Sequence, residues 1–256
     1  MAITKSGGER KNLLYMSLVE RTNKHMSAAE IEKNPELKSA GFLYKDENGA
    51  QQLARQISGN VISVKAGTDT YAPAGQAPQT YPIATVRLSD GESVKIRLDQ
   101  NLGRTVMGLL AANALVHHDG PIDIYVSQVR AGERIGDGQP FDKDKSFISV
   151  KPMNGATADK IKPIFAGADG NIIMEGEGDA AVPAGLPKAK TVRFQGKDQL
   201  DWEEVNQIAV YTAAGLEHHY KAKDARAHSE NNAPAGDHEA DDIDPSEAAA
   251  AAAPRG

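Results

Sequence analysis

The chain has 256 residues, 35 acids against 29 bases, a formal charge of −6, no cysteine, and 40 % hydrophobic but only 5 % aromatic residues. It contains no apolar run near the roughly 18 residues of a membrane helix, no pattern of a cleavable secretory leader, and no thiol for disulfides, thiolate metal sites or cysteine catalysis. These totals predict a soluble, cytoplasmic protein with enough apolar content for one large domain or two small ones.

Residues 1–12, MAITKSGGERKN, read as a flexible arm. Leu13–Val19 and Phe42–Lys45 read as strands, with Ser27-x-x-Glu30 between them as the cap of a short helix that Pro35 ends. Ile57–Lys65 is a strand with Gly59 in its interior, where a bulge or a close backbone approach is expected. Gly67–Pro82 carries Pro73, Pro78 and Pro82 without periodicity and reads as a long loop. The clearest unit is a hairpin over Ile83–Leu98, turning at Ser89-Asp90-Gly91-Glu92. Alternation puts Ala84, Val86, Leu88, Val94, Ile96 and Leu98 on its core face and Thr85, Arg87, Ser93, Lys95 and Arg97 on the other.

Asn101 is placed to cap a helix in which Leu102, Val106, Leu109 and Leu110 recur at helical spacing, running to about Val116. Gly103 and Gly108 weaken that helix by about 1 kcal/mol each relative to alanine unless they permit close packing. Strands follow at Ile122–Arg130 and Ser146–Lys151, with Tyr125, Phe147 and Lys151 turned away from the core. The stretch from Ala166 to Lys188 is irregular. Thr191–Phe194 reads as one more strand, and Asp201-x-x-Glu204 caps an amphipathic helix with Trp202, Val205, Ile208, Ala209 and Thr212 on one side.

From about Lys221 the sequence has one isoleucine and no other large apolar residue, so it reads as a disordered tail. Between Glu230 and Gly256 lie seven acids, Glu230, Asp237, Glu239, Asp241, Asp242, Asp244 and Glu247, against Arg255 alone. The first 229 residues therefore hold 28 charges of each sign, a neutral body carrying an acidic tail that is either solubilising or aimed at basic surfaces. The organisation expected is an arm over 1–12, a body over 13–220 and a tail over 221–256. The body reads as mainly β with a few helices. Five strands with a helix between the third and fourth is the order of an OB-fold, a small partly open barrel, here with N- and C-terminal elaborations; other small barrels share pieces of this order.

No nucleophile elbow, Walker-type loop, HExxH or singled-out pair of carboxylates is present, so no enzyme, cofactor or metal is expected. Gly132–Gly138 and Gly176–Gly178 lack the following helix with lysine and hydroxyl that a phosphate loop needs, and the adjacent pairs His117-His118 and His218-His219 diverge in direction. Nucleic-acid binding is better supported, because single-strand binding needs cations for phosphates and aromatic faces for bases. Arg87, Lys95, Arg97 and Lys151 supply the cations, and Tyr125 and Phe147 the rings. Lys65 at its strand end, and Tyr71 and Tyr81 flanking the proline-rich loop, complete the candidate set. The competing readings are a merely solvated strand face, Tyr125 and Phe147 lying under the Trp202 helix or in a dimer contact, and Tyr71 and Tyr81 as loop anchors.

The order over Gln56–Lys151, the acidic tail, and the segments KNLLYMSLVE and TVRLSDGESVKIRL together resemble the bacteriophage single-stranded DNA-binding proteins. The resemblance implies an OB-fold that binds and protects single-stranded DNA without sequence preference in DNA replication, recombination and repair within the infected cell. It also implies that the tail, through Asp237, Glu239, Asp241, Asp242, Asp244 and Glu247, contacts polymerase, helicase or primase and competes with DNA. The chain departs from several such families by ending AAAAAAPRG and not in an aromatic or hydrophobic tip. The contrasting expectation is a phage virion or assembly protein acting as a β-rich interaction module, and a homo-oligomer is compatible with either.

Overall fold

The computed structural model describes residues 14–20, 32, 35–72, 75, 77–116, 120–153 and 161–231. The chain divides into two units, residues 1–221 and 222–256, and of the second only 222–231 are described. The arm, the Ser27-x-x-Glu30 cap, His117-His118 and the acidic tail beyond Asn231 lie outside the described residues.

Among the described residues the protein is mainly β with two long α-helices. Strands β1 (Leu14–Val19), β2 (Gly41–Lys45), β3 (Gln51–Ala54), β5 (Val61–Tyr71), β6 (Gln79–Leu88) and β7 (Glu92–Arg97) form one sheet in the order β3-β2-β1-β7-β6-β5. All neighbours are antiparallel except β1 and β7, which run parallel. A second sheet joins β4 (Gln56–Gly59), β8 (Ile122–Val129) and β9 (Lys145–Pro152) in the order β4-β8-β9. Neither sheet closes into a barrel among the described residues.

The expected strand at 57–65 is divided between the two sheets: β4 pairs with β8 while β5 pairs with β6. Gly59 makes the transition. Its φ of +149° lies where L side chains rarely sit, and a Cβ there would press on Ser89 and Leu88 at 3.3 and 3.4 Å. A register shift between Val61 and Ser63 completes the bend, as expected for a glycine bulge.

The 67–82 loop expected from the sequence is mostly strand. Pairing continues from Gly67↔Ile83 to Tyr71↔Gln79, leaving 72–78 as the connection. This arm carries threonine and tyrosine but little buried surface, so it has the β propensity of a strand without the alternating hydrophobicity that reveals one.

One core lies between the sheets and the helices α1 (Asn101–Val116) and α2 (Glu203–Asn231). Val86, Leu88, Val94 and Ile96 enter it from the hairpin, Ile122, Ile124 and Val150 from the second sheet, Met107 and Leu110 from α1, and Ala209, Ala213 and Leu216 from α2. The α1 glycines do permit close packing. A Cβ on Gly103 would collide with the Arg97 carbonyl oxygen, and one on Gly108 would lie 2.6 Å from the Phe165 ring. The helix start is capped differently from expectation: Leu102 N–H donates to the carboxylate of Glu20, 82 residues earlier, while Asn101 is already helical.

Ile161, Ile164 and Phe165 are buried in a strap that links the helices. Ile164 N–H donates to Gly108 O at 3.0 Å, and Ala166 N–H to Thr212 Oγ1 at 3.0 Å. Asp201 caps α2 as expected, accepting from Glu203 N–H at 2.9 Å. That helix runs to Asn231, so residues 221–231, expected to be disordered, are helical. Between strap and α2 lie two small antiparallel pairs, β10 (Met174–Glu175) with β11 (Val182–Pro183) and β12 (Lys190–Phe194) with β13 (Lys197–Asp201). No helix among the described residues is long and apolar enough to cross a membrane.

Glu92 opens β7 on the core side, and its Oε2 is buried without a hydrogen-bond partner among the described residues. Burial first, then the charge of Asp90, push its pKa up. The folded chain therefore holds this proton more tightly than the unfolded chain, and stability falls as pH rises from the ordinary carboxylate value through the raised one. Glu92→Gln is expected to raise the urea midpoint at pH 7 and to lose that advantage below about pH 4, where the glutamate is protonated in both states. Denaturation curves of both proteins at the two pH values check this.

Candidate nucleic-acid interface

Alternation fixes which side chains of the six-stranded sheet point away from the core, and register sets them in rows. Tyr15, Ser93, Arg87 and Ser63 lie side by side across β1, β7, β6 and β5. The next row is Ser17, Lys95, Thr85 and Lys65, then Arg97, Ile83 and Gly67, and finally Tyr81 with Asp69. Tyr71 follows Asp69 on the same face of β5. Of the nine predicted site residues, six therefore share this face: Lys65, Tyr71, Tyr81, Arg87, Lys95 and Arg97.

The face is electrostatically organised. Lys95 Nζ donates to Asp69 Oδ2 at 2.6 Å, and that oxygen also accepts from the Tyr81 hydroxyl at 3.3 Å. The hydrogen bond from Lys95, helped by Thr70 N–H, holds the Asp69 carboxyl below the usual carboxylate range. Burial first, then the Asp69 charge, push the Tyr81 phenol up. Arg97 lies 3.9 Å above the centre of the Tyr81 ring and is gripped by Asp99, with Nε at 3.0 Å and the terminal nitrogen at 2.5 Å. Two of the predicted cations are thus held by carboxylates. Arg87 has no carboxylate partner among the described residues.

Ser93, expected on the polar face, is only 5 % exposed between Tyr15 and Arg87. Tyr15 was missed by sequence reasoning and is the most exposed large apolar side chain described, at 70 %. The signal was present: Leu14, Met16 and Leu18 alternate inward, so Tyr15 must point out.

Tyr125, Phe147 and Lys151 sit elsewhere, on the outer face of the three-stranded sheet. Gln56, Tyr125 and Ser149 form one row, Ser58, Asp123 and Lys151 the next, with Ser127 beside Phe147. Lys151 Nζ lies 5.4 Å from the centre of the Tyr125 ring. Phe147 is 37 % exposed and meets Phe141 edge to face at 5.9 Å, while Lys145 stands 5.2 Å from the Phe141 ring. Neither predicted aromatic lies under Trp202, whose ring instead faces Arg104 at 4.6 Å. The single face expected from the sequence is therefore two faces, because both sheets turn their apolar sides to one core and their polar sides away from it. Phe141 and Lys145 join the second patch; Phe141 lay in a glycine-rich loop where no alternation could place it.

Gly132–Gly138 is a turn-rich loop leading into a strand, with Gly132 N–H donating to Phe141 O at 2.8 Å. No cluster of metal-ligating side chains occurs among the described residues. No protein-family model, curated protein or solved structure matches the chain.

Asp69→Asn removes the charge that binds Lys95 and opposes ionisation of Tyr81. The Tyr81 phenol is then expected to titrate lower, because burial still raises it but Lys95 and Arg97, no longer offset by the Asp69 charge, lower it. An ultraviolet tyrosinate titration, differenced against Tyr81→Phe in each background, reads the shift.

Proposed function

We propose that the protein binds single-stranded DNA without sequence preference and protects it during replication, recombination and repair, using the outer face of the six-stranded sheet. The observation that carries this reading is the row from Tyr15 to Arg87: an exposed ring and a guanidinium with no carboxylate partner among the described residues, flanked by Lys95 and Lys65, on the sheet face turned away from the core. A ring accepts any base by stacking, and the cations track phosphates by charge alone, which gives binding without a sequence code. Arg97 stacked on Tyr81 extends the track toward the 72–78 connection.

The finer fold belongs to the same reading. In chain order, β4 with β5, then β6, β7, α1, β8 and β9 follow strand, strand, strand, helix, strand, strand, as in an OB-fold. We take the body to be an OB-like module in which β1 occupies the edge of β7 and α1 packs against β9. The carboxylates of Asp69 and Asp99 temper the affinity by occupying Lys95 and Arg97 until phosphate displaces them. The acidic residues beyond Asn231 act as a longer-range competitor for the same cations and as the contact for polymerase, helicase or primase. The contrasting role, a virion or assembly module, would use Tyr15 and Arg87 as anchors of a protein contact and predicts no salt-dependent binding of single strands.

Fluorescence anisotropy with a labelled oligothymidine, using the chain ended after Asn231, tests the proposal. Binding is expected at low salt and falls with added salt, each neutralised phosphate contributing about 0.7 to the logarithmic slope. Arg87→Ala lowers that slope by about one such unit, and Tyr15→Ala weakens binding by about 1–3 kcal/mol, the worth of one stacked base. The full chain binds more weakly than the shortened one. Absence of binding at low salt sinks the reading.

A further inference from the structure

Thirteen large apolar side chains are exposed among the described residues, and six of them fall between 174 and 202: Met174, Val182, Val192, Phe194, Leu200 and Trp202. The β12–β13 ribbon at the centre of this stretch pairs with neither main sheet. Its turn is tight, with positive φ at both Gln195 and Gly196, so the two strands are in direct register from Lys190↔Asp201 to Phe194↔Lys197. Phe194 is 57 % exposed at the tip with Lys197 directly across from it, and Arg193 points to the opposite face. An isolated two-stranded ribbon buries too little to be stable by itself, and an aromatic tip in water adds nothing to it.

The chemistry of the ribbon selects its occupant. From Lys188 to Leu200 there are four cations, Lys188, Lys190, Arg193 and Lys197, against one acid, Asp198. Lys190 is paired with Glu204 at 2.5 Å, whereas Arg193 and Lys197 have no salt bridge among the described residues. A second copy of the ribbon would bring these like charges together. A chain of phosphates bearing flat bases satisfies both features: bases stack on Phe194 while Lys197 and Arg193 reach the backbone on either side.

We propose that the β12–β13 ribbon is a second contact for single-stranded nucleic acid, engaged by strands long enough to extend past the main sheet face. This rests on the single-strand-binding reading above. The ribbon adds length to the site, so its contribution is absent on short strands and present on long ones. Trp202, the only tryptophan, follows directly on β13, is 40 % exposed and has Arg104 on one side of its ring, so its emission reports a strand laid on the ribbon.

The experiment compares oligothymidines of about 6 and about 30 nucleotides, one near the short end of single-module sites and one well beyond it. The proteins are the chain ended after Asn231, its Phe194→Ala/Lys197→Gln variant, and an Arg193→Gln/Lys197→Gln variant that keeps the ring and guards against a folding defect. The first variant is expected to bind the long strand at least about fivefold more weakly, the loss of one stacked base, with the short strand unchanged. The second lowers the salt slope on the long strand by about 1.4. Long strands quench Trp202 in the parent, and the Phe194→Ala/Lys197→Gln variant loses most of that quenching. If both variants match the parent on the long strand while Arg87→Ala still weakens binding, the ribbon proposal falls and the main reading stands. If DNA binding is unchanged but the variants sediment differently from the parent, the ribbon is a protein contact and the proposal is overturned. If the parent binds neither strand, the function reading falls and the ribbon proposal falls with it.

Discussion

The bend at Gly59 is the constraint on which the rest depends. One run of chain, Gln56–Tyr71, belongs to two sheets, pairing with β8 before the bend and with β6 after it. A side chain at 59 would have to adopt a disfavoured φ and press on the turn at Leu88 and Ser89, so the change of partner falls where glycine stands. Because the strand is shared, the apolar sides of both sheets meet in one core with α1 and α2, and the polar sides are turned outward from it. The geometry of any binding surface follows from that division.

On the larger outer face, charge is arranged as much as accumulated. Asp69 and Asp99 are placed by register beside Lys95 and Arg97, and Tyr81 lies under the guanidinium, so these groups fix one another. Ion pairs this exposed contribute little to folding stability, so their main consequence is for what the face can bind. A neutral body can still present a cationic track when its acids are spaced as partners. Arg87 and Tyr15, which lack such partners among the described residues, are then the groups most available to a ligand.

The helices act as a clamp on this arrangement. Glu20, directly after β1, accepts from the Leu102 N–H in the first turn of α1, which fixes the helix to the strand that runs parallel to β7. Arg104 is almost fully buried, yet donates to the Asp99 carbonyl at 2.9 Å and to Asn206 Oδ1 at 2.7 Å while facing Trp202. The same turn that supplies Asp99 to Arg97 on the outside is therefore held from the inside by Arg104. The strap over Gly108 completes the link to α2.

Sequence alone determined what is local. The 83–98 hairpin was legible because Ala84, Val86, Leu88, Val94, Ile96 and Leu98 are buried on one face, so hydrophobicity alternates along most of it, with Ile83 on the outer side and Glu92 on the inner side as the exceptions, and α1 was legible because its buried positions recur at helical spacing. It also determined which side of each strand Arg87, Lys95, Tyr125 and Lys151 occupy, since alternation is a property of the strand itself. It missed the 67–71 and 79–82 arm, whose two sides bury too little to leave a pattern, and the helix beyond Lys221, whose polar residues resemble those of a disordered segment. Tertiary structure decided what is not local: that β1 joins β7 in parallel, that Glu20 caps a helix 82 residues away, and that the predicted rings and cations divide between two faces. Alternation says whether a side chain faces the core but carries no information about which sheet its strand enters, because hydrogen bonds between distant strands leave no trace in the residues on either side.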